Sequence, residues 1–453
     1  MASTYLSRTN GTATTRTKCT FSAWFKYDQT SGTNTIIVAT DDSGANTYFQ
    51  VELKPDIDVQ IRDGSSATYL RRRSNAPLKD ALGWYHIVVT FDSTLGTADD
   101  RLKIFLNGER ITSFSDNTGT VDSDYNCPLF KSSIPMKIGV GQSGSSNFFS
   151  GIMSHIHATD GYAYEASTFG ETDATTGEWK IKTSPSVTYG DNGFFILKDD
   201  NSVTDQSGEG NNFTVGAGTL TKTEDNPSNV FCTMLPMMNY ANGTPTFANG
   251  NTVINGSGSA WLRTSGSIGN RTGKFYYEAY LQAYYGSDRP IRIGWDSLDY
   301  PRQGADTYFS GFNISSDGFI RGGIAGVDAY DPNADALGVT LAEGDYVGLA
   351  IDLDNDLVTC YKNGTVISNV NGLDISGNSN CSVINSKGYQ VTPSVNFYAV
   401  STNDNEIYFN FGNGAFGSTQ LTGTTYTDSA GRGVFKYQPP TNYLAWCTRN
   451  FNE

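Results

Sequence analysis

"VTCYKNGTVI" occupies residues 358–367, and "LKIFLNGERI" occupies residues 102–111. Each joins an alternating apolar run to a second short run through Asn-Gly. That dipeptide is the strongest short hairpin signal, because a type I′ turn needs positive φ at both central residues. Asn107-Gly108 and Asn363-Gly364 therefore mark two hairpins, one in each half of the chain. Working outward from the first, "CTFSAWFKY" (19–27) alternates, with Phe21, Ala23 and Phe25 on one face and Trp24 on the other. "TYFQVEL" (47–53), "WYHIVVTFD" (84–92), "MKIGVG" (136–141), "FFSGIMSHIHATD" (148–160) and "GFFILKD" (193–199) continue the pattern. Around the second hairpin stand "GKFYYEAYLQAYY" (273–285), "IRIGWDS" (291–297), "GDYVGLAIDLDNDL" (344–357), "TPSVNFYAVS" (392–401) and "EIYFNFG" (406–412). Helical spacing is almost absent. Strand, polar turn and strand in repetition predict an all-β protein of two consecutive antiparallel β-sandwiches.

Composition agrees. The 453 residues include 49 Gly for turns, with 26 Tyr and 25 Phe suited to strands, and only 17% are charged. The net charge of −15 argues against wrapping nucleic acid, which needs clustered Lys and Arg. It also argues against an anionic membrane surface, and no apolar run reaches the ~18 residues of a membrane span. "MASTYLSRTN" (1–10) lacks a charged n-region and an apolar h-region, so no secretory signal is expected. The six cysteines, Cys19, Cys127, Cys232, Cys360, Cys381 and Cys447, lack CxxC spacing. They read as reduced thiols rather than a zinc site.

The stretch "DQSGEGNNFTVGAGTLTKTEDNPSNVF" (205–231) is rich in Gly, Asn, Asp and Ser. It divides the chain into a first sandwich at 1–231 and a second at 232–420. Residues 421–453 hold Pro439-Pro440, which bars regular sheet, and are expected to form a short extended arm.

The order "FSAWFK", "GWYHIVVTFD", "LKIFLNGERI", "KIGVG", "FSGIMSHIHATDGYAY" resembles the laminin-G/concanavalin-A-like jelly roll. The second half is similar to the SPRY family. Gly273, Lys274, Tyr276, Glu278, Gly294, Trp295, Gly344, Asp345, Gly348, Asp352, Lys362, Asn363, Gly364, Asn410, Phe411 and Gly412 carry that likeness. The pairing of the two, with "DGYAYEASTFGETDATTGEWKIK" (160–182), "YGDNGFFILKD" (189–199), "DQSGEGNNFTV" (205–215) and "FKYQPPTNYLAWCT" (435–448), resembles bacteriophage tail and virion proteins. There Asn442 stands in place of the usual Gly and Trp446 follows Ala445. This resemblance implies a virion-surface protein, made in the host cytoplasm, that contacts other virion proteins.

Candidate sites are few. His86 lies in a strand and reads as structural. His155 and His157 sit two apart on one strand face, but a metal needs a third ligand. No carboxylate pair of the sandwich-glycosidase kind appears. "DLDNDL" (352–357) reads as a solvated turn. "TDDSGAN" (40–46) offers oxygen ligands, so calcium is possible there, and no other cofactor is expected. Tyr284, Tyr285, Arg289, Tyr300, Arg302 and Tyr308 are the candidate ligand-binding residues, because in the SPRY family the loops at one rim bind ligands. Arg71, Arg72 and Arg73 form the one basic run and read either as a solvated strand end or as a subunit contact. The expectation is a non-enzymatic phage tail-fibre or adhesin component, a homo-oligomer binding host-surface glycan or protein through rim loops. A capsid decoration or head-fibre protein is the alternative, and a polysaccharide depolymerase a third reading.

Overall fold

The structure is a computed structural model. It describes residues 4–451 except 28–31, 42–46, 65–68, 81, 199–201, 237–244, 257–259, 285–289, 298–310, 323–335, 377–388 and 400–404. The chain divides into two compact units, Met1–Leu220 and Thr221–Glu453. That division falls inside the Gly- and Asn-rich stretch 205–231.

The first unit pairs an eight-stranded with a six-stranded antiparallel sheet. Alternation decides which side chains meet between them. Phe21, Ala23 and Phe25 of Lys18–Tyr27 join Phe49, Val51 and Val59 of the opposite sheet in one core. Each buried ring of this kind contributes about 2 kcal/mol. Trp24, pointing the other way, lies on the outer face, as the sequence predicts. The second unit pairs a nine-stranded with a five-stranded sheet. Its core holds Phe275, Tyr277, Leu281, Trp295, Phe397 and Phe409.

One five-strand run is built in the same order in both units. In the first it reads Gly151–Asp160, Lys18–Tyr27, Tyr85–Asp92, Leu102–Leu106, Glu109–Arg110. In the second it reads Asn405–Asn410, Lys274–Ala283, Tyr346–Asp352, Leu357–Lys362, Thr365–Val366. The repeated hairpin closes each run and is tied down identically. Asn107 Oδ1 accepts from the His86 N–H at 2.8 Å, and the Asn107 N–H donates to the His86 carbonyl at 2.8 Å. Asn363 makes the same pair with Tyr346, both at 2.8 Å.

In both units a length of chain lies across the outer face of this run. Residues 161–190 do so in the first, where Phe169 and Trp179 pack with Val88 and Phe105. Residues 426–451 do so in the second, where Phe435 and Ala445 pack with Tyr276 and Ala350. Leu444–Ala445 pairs in parallel with Phe275 and Tyr276, while Pro439 and Pro440 stay outside any strand. The expected arm is thus irregular, yet it is part of the second unit, with Trp446 wholly buried.

The hairpin glycines make room for these covers. Gly108 has φ +84°, and a Cβ there would lie 2.5 Å from the Trp179 ring. Gly364 has φ +79°, and a Cβ there would lie 2.5 Å from the Tyr437 ring. Gly108→Ala and Gly364→Ala are each expected to cost about 2 kcal/mol, from positive φ and the displaced ring together. Urea denaturation of the full chain measures this. A loss below about 0.5 kcal/mol would mean that the covers are not seated on the hairpins.

Arg71, Arg72 and Arg73 lie in the strand Tyr69–Ser74 and find their partners within the chain. Arg71 pairs with buried Asp58 at 2.7 Å and with Asp116 at 3.1 Å. Arg73 pairs with Asp56 at 2.8 Å. Arg72 is buried and donates to the carbonyls of Thr118 and Gly119. Arg71 and Arg73 are thus ion-paired within the chain, while Arg72 meets backbone carbonyls. Cys19, Cys127, Cys232, Cys360 and Cys447 are buried thiols outside any disulfide, and Cys381 lies outside the described residues. No helix among the described residues is long and apolar enough to cross a membrane.

Candidate functional site

The two covers leave the outer face in different states at equivalent positions. In the first unit Trp24 pairs across strands with His86, and the rings stack at 4.6 Å. Trp179 then closes over His86, with centroids 6.0 Å apart. The indole Nε1 can only donate, and it donates to His86 Nδ1 at 3.0 Å. The imidazole proton is therefore on Nε2, which donates to Ser22 Oγ at 2.8 Å. Burial pushes His86 down to about 3, so it is neutral at ordinary pH. This position is filled and closed, with His86 buried against Trp24 and Trp179.

In the second unit the same cross-strand row is Tyr408, Tyr280 and Tyr346. Tyr280 and Tyr346 lie 4.5 Å apart, Tyr280 and Tyr408 6.1 Å. Phe416 joins them 5.1 Å from Tyr346, and Tyr437 from the cover stands 6.0 Å from Tyr346. Here the cover stops short. A cavity of about 350 Å³ opens over the tyrosines, walled on its far side by Thr419, Gln420, Leu421, Thr422, Thr424 and Thr425. Lys436 lines it too, its ammonium 4.5 Å from the Tyr346 centroid. Burial raises the Tyr346 and Tyr437 phenols and, with Glu406 beside it, pushes Tyr408 up to about 12. All three are neutral hydrogen-bonding groups at ordinary pH.

One residue holds the cover at the edge of this cavity. Glu278, two positions before Tyr280 and on the same face, is fully buried. It accepts from the Lys436 and Tyr437 N–H groups at 2.9 and 2.8 Å, from Asn410 Nδ2 at 3.0 Å and from Tyr276 Oη at 3.2 Å. Burial pushes its carboxyl up to about 7 against those four donors. With its oxygens so engaged, Glu278 anchors the chain that carries Lys436 and Tyr437. Beside it, Asp345 accepts from Ala342 N–H and Asn363 Nδ2 and pairs with Lys362 at 3.0 Å, which fixes the strand entry at Tyr346.

The residues singled out in the sequence fall elsewhere. Tyr285, Arg289, Tyr300, Arg302 and Tyr308 lie outside the described residues, and Tyr284 packs half-buried against the second core. His155 and His157 both touch Phe195, but a bulge at His155, φ +47°, interrupts the pairing with Lys18–Tyr27. His157 Nδ1 is engaged by Tyr189 Oη at 2.9 Å, and burial holds its pKa well down. Among the described residues no group of three His, Cys, Asp or Glu side chains is arranged to hold a metal. Of "TDDSGAN", positions 42–46 lie outside the described residues. Asp352 in "DLDNDL" accepts from the Asp354 and Asn355 N–H groups and pairs with Lys274 at 2.7 Å, so this turn is tied within the chain.

Sequence reasoning missed Tyr280, Tyr346, Tyr408 and Tyr437. The signal was present as outward-facing aromatics at matching places on three strands. It needed the strand register before they became neighbours.

A second opening, of about 520 Å³, lies on the outer face of the first unit's eight-stranded sheet. Gln50, Glu52, Lys54, Gln60 and Gln142 line it without any aromatic ring. Its charges cancel locally, since Lys54 pairs with Glu52 at 2.5 Å and with Asp58 at 3.0 Å.

Residues 1–163 match the concanavalin A-like lectin/glucanases superfamily. No curated protein sequence matches the chain. Among solved structures, the SPRY domain of human HERC1 is similar at 14% identity, covering 35% of this chain and 87% of that one, with a TM-score of 0.25. The heptameric SAP-like pentraxin of Limulus polyphemus is similar at 14% identity, covering 43% and 89%, with a TM-score of 0.28. Domain 4 of the extracellular arabinanase AbnA from Geobacillus stearothermophilus is similar at 16% identity, covering 35% and 67%, with a TM-score of 0.25. At such TM-scores no ligand or partner carries over. The chain is an all-β protein of antiparallel sheets paired into sandwiches, and its N-terminal domain is concanavalin A-like.

Proposed function

We propose that this is a non-catalytic carbohydrate-recognition protein whose binding site is the tyrosine-lined cavity of the second unit. The observation that carries the reading is the row Tyr408, Tyr280, Tyr346, extended by Phe416 and Tyr437 and left open rather than covered. Aromatic faces stack on the apolar faces of sugar rings, and the phenols, threonines and Gln420 supply orienting hydrogen bonds. No carboxylate lines the cavity among the described residues, and Glu278 has its oxygens engaged by the cover. The matched family of residues 1–163 is described as lectins and glucanases, which fits the same class of ligand. The setting we propose is a phage virion, as a tail-fibre or adhesin component. This rests on the resemblance of sequence motifs to virion proteins.

Calorimetric titration of the full chain with a glycan panel tests the binding. Tyr346→Ala is expected to weaken the best ligand at least tenfold, the effect of removing a central aromatic anchor. If no glycan binds, or if Tyr346→Ala binds like the parent, the reading fails. Antibody labelling of intact virions addresses the setting. Label at the tail supports the adhesin, and label across the capsid replaces it with a decoration protein.

A further inference from the structure

The charge of the cavity points to the class of sugar, an inference that rests on the glycan reading above. The chain carries a net charge of −15, yet the cavity is lined by one cation and no anion among the described residues. That cation is Lys436. Its ammonium lies 4.5 Å from the Tyr346 centroid and 5.7 Å from that of Tyr437. No carboxylate pairs with it among the described residues, unlike nearby Lys362 and Lys274, which are held by Asp345 and Asp352. Its backbone is fixed by the N–H donated to Glu278, so the side chain starts from a set position. A lysine held against two aromatic rings, its ammonium in no ion pair among the described residues, is placed to meet one anionic group on a ligand whose body stacks on tyrosine.

We propose that the cavity takes an acidic sugar, with its carboxylate on Lys436 and its ring against the Tyr280–Tyr346–Tyr408 row. A lone cation suits the single carboxylate of a uronic acid. A flat anion without a ring face would leave the tyrosines bare.

The test uses the full chain and matched trisaccharides of glucuronate, galacturonate and mannuronate, each as the free acid and as its methyl ester. Esterification removes the charge and keeps the ring. At least one acid is expected to bind about tenfold more tightly than its ester, the scale of one charge-assisted contact. Lys436→Gln should close that gap and Lys436→Arg should keep it, and the gap should narrow as salt rises. If acid and ester bind alike, or if Lys436→Gln retains the preference, the inference is overturned while the glycan reading stands. If no sugar binds in either form, and none of the neutral panel does, both fall.

Discussion

Glu278→Ala is expected to destabilise the second unit by about 4 kcal/mol, at the upper end for a single substitution. The substitution removes a fully buried acceptor from four donors, Tyr276 Oη, the N–H groups of Lys436 and Tyr437, and Asn410 Nδ2, which keeps only its bond to the Val434 carbonyl. Each buried donor left unsatisfied costs about 1–3 kcal/mol. Asn410 cannot turn to adapt, because its Oδ1 already accepts from the Gly412 and Gly414 N–H groups at 3.0 and 3.1 Å. Gly348 lies opposite Glu278 on the neighbouring strand and offers no side chain in compensation. The cover over Tyr276 and Ala350 should loosen first, so residues 421–453 should become sensitive to protease at urea concentrations that leave the parent intact. Urea denaturation of the full chain gives the energy. A loss below about 1 kcal/mol would show that the cover is held by its apolar contacts and not by Glu278.

Acidification from pH 7 to 5 is expected to move the two units in opposite directions, with a loss of about 2 kcal/mol from His86 alone in the first and a gain of about 2 kcal/mol from Glu278 in the second. His86 is pushed down to about 3 by burial, from an unfolded value near 6.5. Below pH 6.5 the unfolded chain binds a proton that the folded unit refuses. The stability from a neutral His86 is therefore complete above 6.5 and lost as pH falls toward 3. His157, held well down by burial, acts in the same sense. Glu278 is pushed up to about 7, from an unfolded value of 4.5. Between those values the folded unit keeps a proton that the unfolded chain releases. Its contribution is greatest below 4.5 and lost as pH rises toward 7. A tenfold difference in proton affinity between the folded and unfolded chain is worth about 1.4 kcal/mol. Asp345 and Asp352 are both held below their usual value because lysine and amide partners outweigh burial, so they titrate in more acid conditions and leave this window clear. Denaturant-dependent hydrogen exchange, followed on peptides from each unit of the full chain, separates the two trends. If both units gain or both lose stability between pH 7 and 5, the assignment of these buried groups is wrong.

The architecture was legible in the sequence, because a strand's two faces are written in residues two apart. "CTFSAWFKY" and "GKFYYEAYL" each state which side chains go inward, and their Asn-Gly turns state where the chain doubles back. Those are local properties, set by the pleat and by the φ preferences of Asn and Gly. What covers the outward side was settled only in three dimensions. Nothing local shows that Trp179 comes to rest on His86, or that the tail meets Glu278 and then stops short of Tyr280. In the sequence Glu278 and Asn363-Gly364 are framework positions of a fold, and Tyr346 is not singled out. In space Glu278 anchors the cover, Asn363-Gly364 makes room for Tyr437, and Tyr346 floors the cavity. These are contacts between residues scores of positions apart in the chain. They depend on register and on how far one segment reaches across another, which no window of sequence contains.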